Sequence, residues 1–126
     1  MTTASDGKRR TGDVARLTAR LDHMREAALE QAAEAVAQTA ADVAGHARRS
    51  LRRSPGGLPR LADRMEIEAE GPARRVTARH PAAVYVEYGT RHRAAHPFLQ
   101  PAADAARAPF RERMMTRVRR LLRGGS

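Results

Sequence analysis

The chain contains no cysteine and no tryptophan, and only two tyrosines and two phenylalanines among its 126 residues. The first absence removes disulfides, thiolate metal sites and cysteine nucleophiles together. The scarcity of aromatics leaves the core to Ala, Val, Leu, Ile and Met, which bury less surface per side chain. No apolar run approaches the ~18 residues of a membrane span. The opening MTTASDGKRR lacks the apolar stretch of a signal peptide. The expectation is a protein made in a cytoplasm, with no membrane among its partners. Lysine is nearly missing too: of 24 basic residues, all but Lys8 are arginine.

A chain of this length has room for one domain, burying roughly two thirds of its unfolded surface. With so few aromatics a lone copy is marginal, and oligomerisation would relieve it. The formal net charge is +10 and the sequence pI about 11.6. Such a balance fits a polyanionic neighbour, DNA or an acidic protein surface, and fits equally an arginine-biased composition spread over solvated faces.

Along the chain, residues 1–12 are polar, basic and without periodicity, and are expected to form a flexible arm. Residues 13–123 are expected to form a single α+β domain, with helix 13–53, sheet 61–90 and helix 97–122, followed by a frayed tail at 124–126. From Asp13 to Arg53 the positions Val14, Leu17, Leu21, Met24, Ala28, Ala32 and Val36 recur at spacings of three and four. The pattern continues through Val43 and Leu51, the mark of an amphipathic helix. Asp13 is a plausible N-cap, acids crowd the early turns, and Arg48, Arg49, Arg52 and Arg53 crowd the last. Such a helix is about 60 Å long, more than a compact domain of this size needs, so part of it must project or pack on another subunit. Gly45 is its weakest point. The alanine-rich stretch Ala27–Ala44 suits close helix or sheet contact.

Ser54-Pro55-Gly56-Gly57-Leu58-Pro59 stops the helix. Met65, Ile67 and Ala69 then alternate with Glu66, Glu68 and Glu70, and after Gly71-Pro72 the run Arg75–Arg79 alternates again, which predicts a hairpin. Ala83–Tyr88, rich in strand formers and closed by Gly89, predicts a third strand. Pro97-Phe98-Leu99-Gln100-Pro101 opens the last helix. Pro109 inside it predicts a kink or a junction of two helices.

Among residues that carry chemistry, His92 and His96 have a metal-like spacing but lie in a loop-like segment with only Glu87 near. No nucleophile–base pair, carboxylate pair or phosphate-cradling loop is recognisable, so neither catalysis nor a cofactor is expected. Arg111, Arg113, Arg117, Arg119, Arg120 and Arg123 surround the apolar positions Phe110, Met114, Val118, Leu121 and Leu122. They are candidate DNA-facing residues, a membrane-surface stripe, or simply the solvated side of a helix whose apolar face is buried, the last two leaving no role for DNA. Glu87-Tyr88-Gly89-Thr90 reads as a carboxylate at a strand end followed by a glycine free to take positive φ, fixing a sharp exit from the sheet.

The stretch Tyr85-Val86-Glu87-Tyr88-Gly89-Thr90, followed after a short loop by Pro97-Phe98-Leu99-Gln100-Pro101-Ala102, resembles the tail-component family of long-tailed bacteriophages. Members are also called head-tail connector, neck or tail-completion proteins. The likeness runs over about residues 14–115, includes Gly56-Gly57-Leu58, and leaves the arginine-rich end unassigned. It implies an α+β fold in which a small antiparallel sheet packs against the long N-terminal helix and the C-terminal helix. It further implies a non-enzymatic virion structural protein, made in the host bacterial cytoplasm. Such proteins form a homo-oligomeric ring of six subunits around the DNA channel, between head-connector and tail-tube proteins. On that reading Gly89 sets a turn, Glu87 pairs with an arginine such as Arg91 or one across a subunit boundary, and Phe98 and Leu99 anchor the last helix. A sequence-nonspecific basic DNA-binding protein is the alternative.

Overall fold

The computed structural model describes residues 3–54 and 58–124, with side chains from residue 11 onward. Its elements are α1 (Thr3–Arg53), α2 (Pro59–Ala62), β1 (Met65–Glu70), β2 (Ala73–Ala78), α3 (Ala83–Tyr88) and α4 (Leu99–Leu122). The fold is α+β, with two long helices and one small antiparallel sheet.

α1 is a single helix of 51 residues, about 75 Å at 1.5 Å per residue. It begins ahead of Asp13: Thr3–Gly12, expected as a flexible arm, is helical, and Asp13 lies inside the helix instead of capping it. Propagating a formed helix adds one hydrogen bond per residue fixed, and no proline interrupts this stretch. Gly45 does not break α1 either, since an interior glycine costs only about 1 kcal/mol against the packing on both sides of it. Met1, Thr2, Gly125 and Ser126, the rest of the expected arm and tail, lie outside the described residues, as do Pro55, Gly56 and Gly57. α1 stops at the Leu51 carbonyl, which accepts from the Ser54 hydroxyl (2.8 Å), the Leu58 amide (3.2 Å) and the Ser54 amide (3.4 Å). These bonds satisfy a carbonyl the helix end would orphan.

α4 lies antiparallel along α1, from its C-terminal part back to about Ala19. The Arg113 guanidinium donates to the Thr39 hydroxyl at 3.1 Å and pairs with Asp42. One turn later Arg117 donates to Gln31 at 3.2 Å and Gln38 at 3.4 Å, with Glu34 at 3.8 Å. α1 buries Ala35, Ala40, Ala44 and Ala47, and α4 buries Ala102 and Ala106. Side chains this small let neighbouring backbones approach closely, as the alanine-rich stretch predicted. α4 runs as one helix through Pro109, with no junction there. Proline removes one intrahelical bond, and it sits on the exposed side, where water replaces the lost donor.

Among the described residues the sheet has two strands, not three. β1 and β2 pair with Ile67 opposite Val76 and Glu68 opposite Arg75, around a turn in which Gly71 adopts φ 55°. Only the Met65 end of the hairpin is covered, for Ile67 is 41% exposed. Of the expected sheet region 61–90, Leu61 and Ala62 belong to α2, and Ala83–Tyr88 is α3, a helix. The reason is local. Pro81 presets a helical φ, Ala82 and Ala83 are strong helix formers, and the Ala82 amide is captured by His80 Nδ1 at 3.0 Å. Burial then falls on Ala83, Val86 and Glu87, a helical and not a strand period.

The core gathers Ala47 and Leu51 of α1, Leu61 and Ala62 of α2, Met65, Val86, Phe98 and Ala102. Phe98 and Leu51 are its largest fully buried side chains. It sits at one end of the molecule, around the C-terminal half of α1.

Candidate functional site

Glu87 is the centre of the arrangement. It lies on the inner side of α3, 8% exposed, and its two carboxylate oxygens face the first turn of α4. Oε1 accepts from the Leu99 amide at 2.8 Å and Oε2 from the Phe98 amide at 3.1 Å. The residue at the N-cap of α4 is Phe98, whose side chain has nothing to offer the free amides. A carboxylate eleven residues earlier takes over the capping, satisfying two orphan donors with negative charge at the positive end of the helix dipole. Glu87 therefore pairs with backbone amides and not with Arg91, which is exposed. An arginine would hold the carboxylate at the surface, whereas the helix terminus can meet it inside.

The loop between the two motifs is drawn in by the same joint. The His96 amide donates to the Val86 carbonyl at 2.7 Å, and Thr90 and Arg93 bond to one another across their backbones. Gly89 closes α3 at φ 79°, its amide bonded to the Tyr85 carbonyl at 2.8 Å. It fixes an exit from a helix, where a sheet exit was expected. A Cβ here would stand 2.8 Å from the Ala95 amide nitrogen, so the close approach of the loop requires glycine. Phe98 is fully buried against Val86 and Leu51, with Leu99 half-buried beside them. Pro97, Thr90 and Pro101 are exposed around the joint. Both tyrosines point outward, Tyr85 at 60% and Tyr88 at 79% exposure. Tyr88 borders a cavity of about 370 Å³ that also touches Val76, Val84, Leu99 and Ala103.

The six candidate arginines, five in α4 and Arg123 just after it, divide into two groups. Arg113 and Arg117 are turned onto α1 and clamp it through the bonds given above, so they are not DNA-facing. Arg111, Arg119, Arg120 and Arg123 are exposed and make no ion pair among the described residues. On the hairpin, Arg79 binds both Glu66, at 2.7 Å, and Glu68. The hydrogen bond and charge of Arg79 hold the Glu68 carboxyl below the usual glutamate range, and Glu68 in turn raises the Arg79 guanidinium. His92 is exposed and His96 half-buried, both in the loop between α3 and α4.

The sequence singles out Glu87, Gly89, Phe98 and Leu99 but not the bonds that join them, nor Arg93 and Ala95 of the loop. The readable signal was Pro81 followed by Ala82 and Ala83, which favours a helix and would have placed Glu87 on the same face as Ala83, one turn later. Compared with protein-family models, with curated proteins and with solved structures, the chain matches none.

Proposed function

We propose that this chain is a structural protein whose work is association, carried by surfaces and not by a reaction. What supports the reading is one observation: the two segments that carry the phage resemblance close on each other through Glu87, which caps α4 from α3. Residues of the motif thus serve to hold α3, the loop and α4 in one rigid corner. The tyrosines of the same motif are left outside, in a chain that has only four Phe and Tyr side chains in all. Exposed tyrosine on a rigid element is favourable at protein interfaces, where its ring buries large area at small entropic cost.

The particular role is a ring-forming component of the neck of a long-tailed bacteriophage, joining the tail to the head connector around the DNA channel. The test is the mass of the purified protein across a salt and concentration series, with negative-stain images, alone and with tail-tube protein. Rings of defined symmetry are expected. Tyr88→Ala would remove them without unfolding the corner. A second reading, a basic protein that binds duplex DNA without sequence preference, is favoured by Arg111, Arg119, Arg120 and Arg123, exposed and without an ion pair among the described residues. It predicts duplex binding by the non-assembled protein that weakens steeply as salt rises.

A further inference from the structure

The apolar stripe of α1 continues past the end of α4. Within one chain Leu121 and Leu122 border a cavity with Ala19, Arg20, His23 and Met24, so α4 reaches no further toward the start of α1 than about Ala19. In the first half Val14, Leu17 and Leu21 continue the stripe and are 62, 56 and 56% exposed. α4 carries a counterpart. Arg113 and Arg117 face α1, whereas Met115, Val118 and Leu122 lie on the outward side and are 47, 44 and 74% exposed. The two stripes have the same spacing in the same order, three residues and then four, each about 10 Å long.

We infer that a second copy of this chain covers both stripes. The first half of α1 packs parallel on the outward face of the partner's α4, with Val14, Leu17 and Leu21 meeting the partner's Met115, the partner's Val118 and the partner's Leu122. Equal three-then-four spacing is the pattern that lets two helices interlock knobs into holes. The register also brings Asp13 to the partner's Arg119, in the flanking relation where opposite charges set orientation in parallel helix pairs. Both residues are exposed and make no ion pair among the described residues.

The stripe adjoins the face of α1 that seats its own α4, whose end lies against Ala19, Arg20, His23 and Met24. Because α4 is antiparallel to its own α1, parallel docking on the partner's α4 sets the two α1 helices antiparallel. The contact is therefore made twice about a two-fold axis, with each α4 held between two α1 helices. The flanks of the α1 stripe carry charges of both signs, Asp13, Asp22 and Glu26 beside Arg16, Arg20 and Arg25, so they offer no net positive surface to a nucleic acid or an anionic membrane, whereas Asp13 offers the partner's Arg119 a counter-charge. The pairing is distinct from any contact that repeats around a ring.

The test is sedimentation of the full chain from nanomolar to micromolar concentration, with variants. The wild type is expected to dimerise. Leu17→Glu with Leu21→Glu should raise the dissociation constant about 100-fold or more with helical circular dichroism unchanged, because these side chains are more than half exposed in their own fold. Asp13→Arg or Arg119→Asp alone should weaken the dimer several-fold, and the two together should restore it. Leu17→Cys with Val118→Cys should oxidise to a covalent dimer. Within one chain Arg117 meets Glu34, about 25 Å along α1 from Leu17 and beyond the reach of a disulfide. A chain that stays monomeric overturns the inference, as does a dimer indifferent to the two glutamates. A monomer that binds duplex through Arg119 and Arg120 overturns it as well. Rings that form without the dimer would remove this inference and leave the neck reading standing; a dimer that never forms rings would do the reverse.

Discussion

The two halves of α1 carry the same amphipathic pattern and meet different fates. In the second half Ala44, Ala47 and Leu51 are fully buried under α4, the hairpin and the small helices. In the first half Val14, Leu17 and Leu21 are more than half exposed. Nothing in the side-chain chemistry of the first half is weaker; its apolar residues are larger than the alanines that are buried. The difference lies in the chain that follows. Only the stretch from about Ala19 onward has an α4 delivered to it, and α4 is aimed there by Glu87 and Phe98. Periodicity therefore identifies a face that wants a partner without saying whether the same chain supplies one.

The comparison can be broken most forcefully at the covered end. Phe98→Ala should cost about 3–5 kcal/mol, read as a lower midpoint in urea, because Phe98 is one of the two largest fully buried side chains. An unchanged midpoint would remove Phe98 from the core. Next comes Glu87→Ala, which strands two amides at the α4 N-terminus and should cost about 2–3 kcal/mol. Faster hydrogen exchange at Phe98 and Leu99 than elsewhere in α4 would mark the loss as one of capping. Leu17→Ala, at the bare end, should change the stability of the dilute monomer by no more than about 0.5 kcal/mol. A loss comparable to that at Phe98 would mean the first half is already covered within one chain.

The smallest effect belongs to the hairpin. Arg79 lowers the pKa of Glu68 in the folded state from its ordinary 4.5. The stabilisation is therefore complete above the ordinary glutamate range and is lost as pH falls through the lowered folded value. Because the pair is solvated, the loss is expected to be slight. An NMR titration of Glu68 in wild type and in Arg79→Ala checks it; the midpoint should rise in the variant.

Much of the fold was legible because it rests on local physics. The 3.6-residue recurrence of α1 and α4, the alternation of Met65–Glu70 and the turn at Gly71 are properties of neighbouring residues, and each became the element its period indicates. Ala83–Tyr88 was misread as a strand because Val84, Tyr85, Val86 and Tyr88 favour strands by side-chain type. A preceding proline, two alanines and the His80 cap outweighed that preference, since a segment of six residues takes the conformation its ends and its buried face allow.

By itself the sequence determined the long amphipathic helices, the hairpin, the positive-φ glycine after Tyr88 and the aromatic that anchors α4. Tertiary structure alone decided where those pieces point. It turned the Glu87 carboxylate onto a helix terminus, drew Arg113 and Arg117 from the basic face onto α1, and left Val14, Leu17 and Leu21 uncovered. The physical reason is that periodicity, propensity and turn chemistry act over a few residues, whereas the partner of a carboxylate, an arginine or an apolar stripe is chosen by packing between segments far apart in the chain.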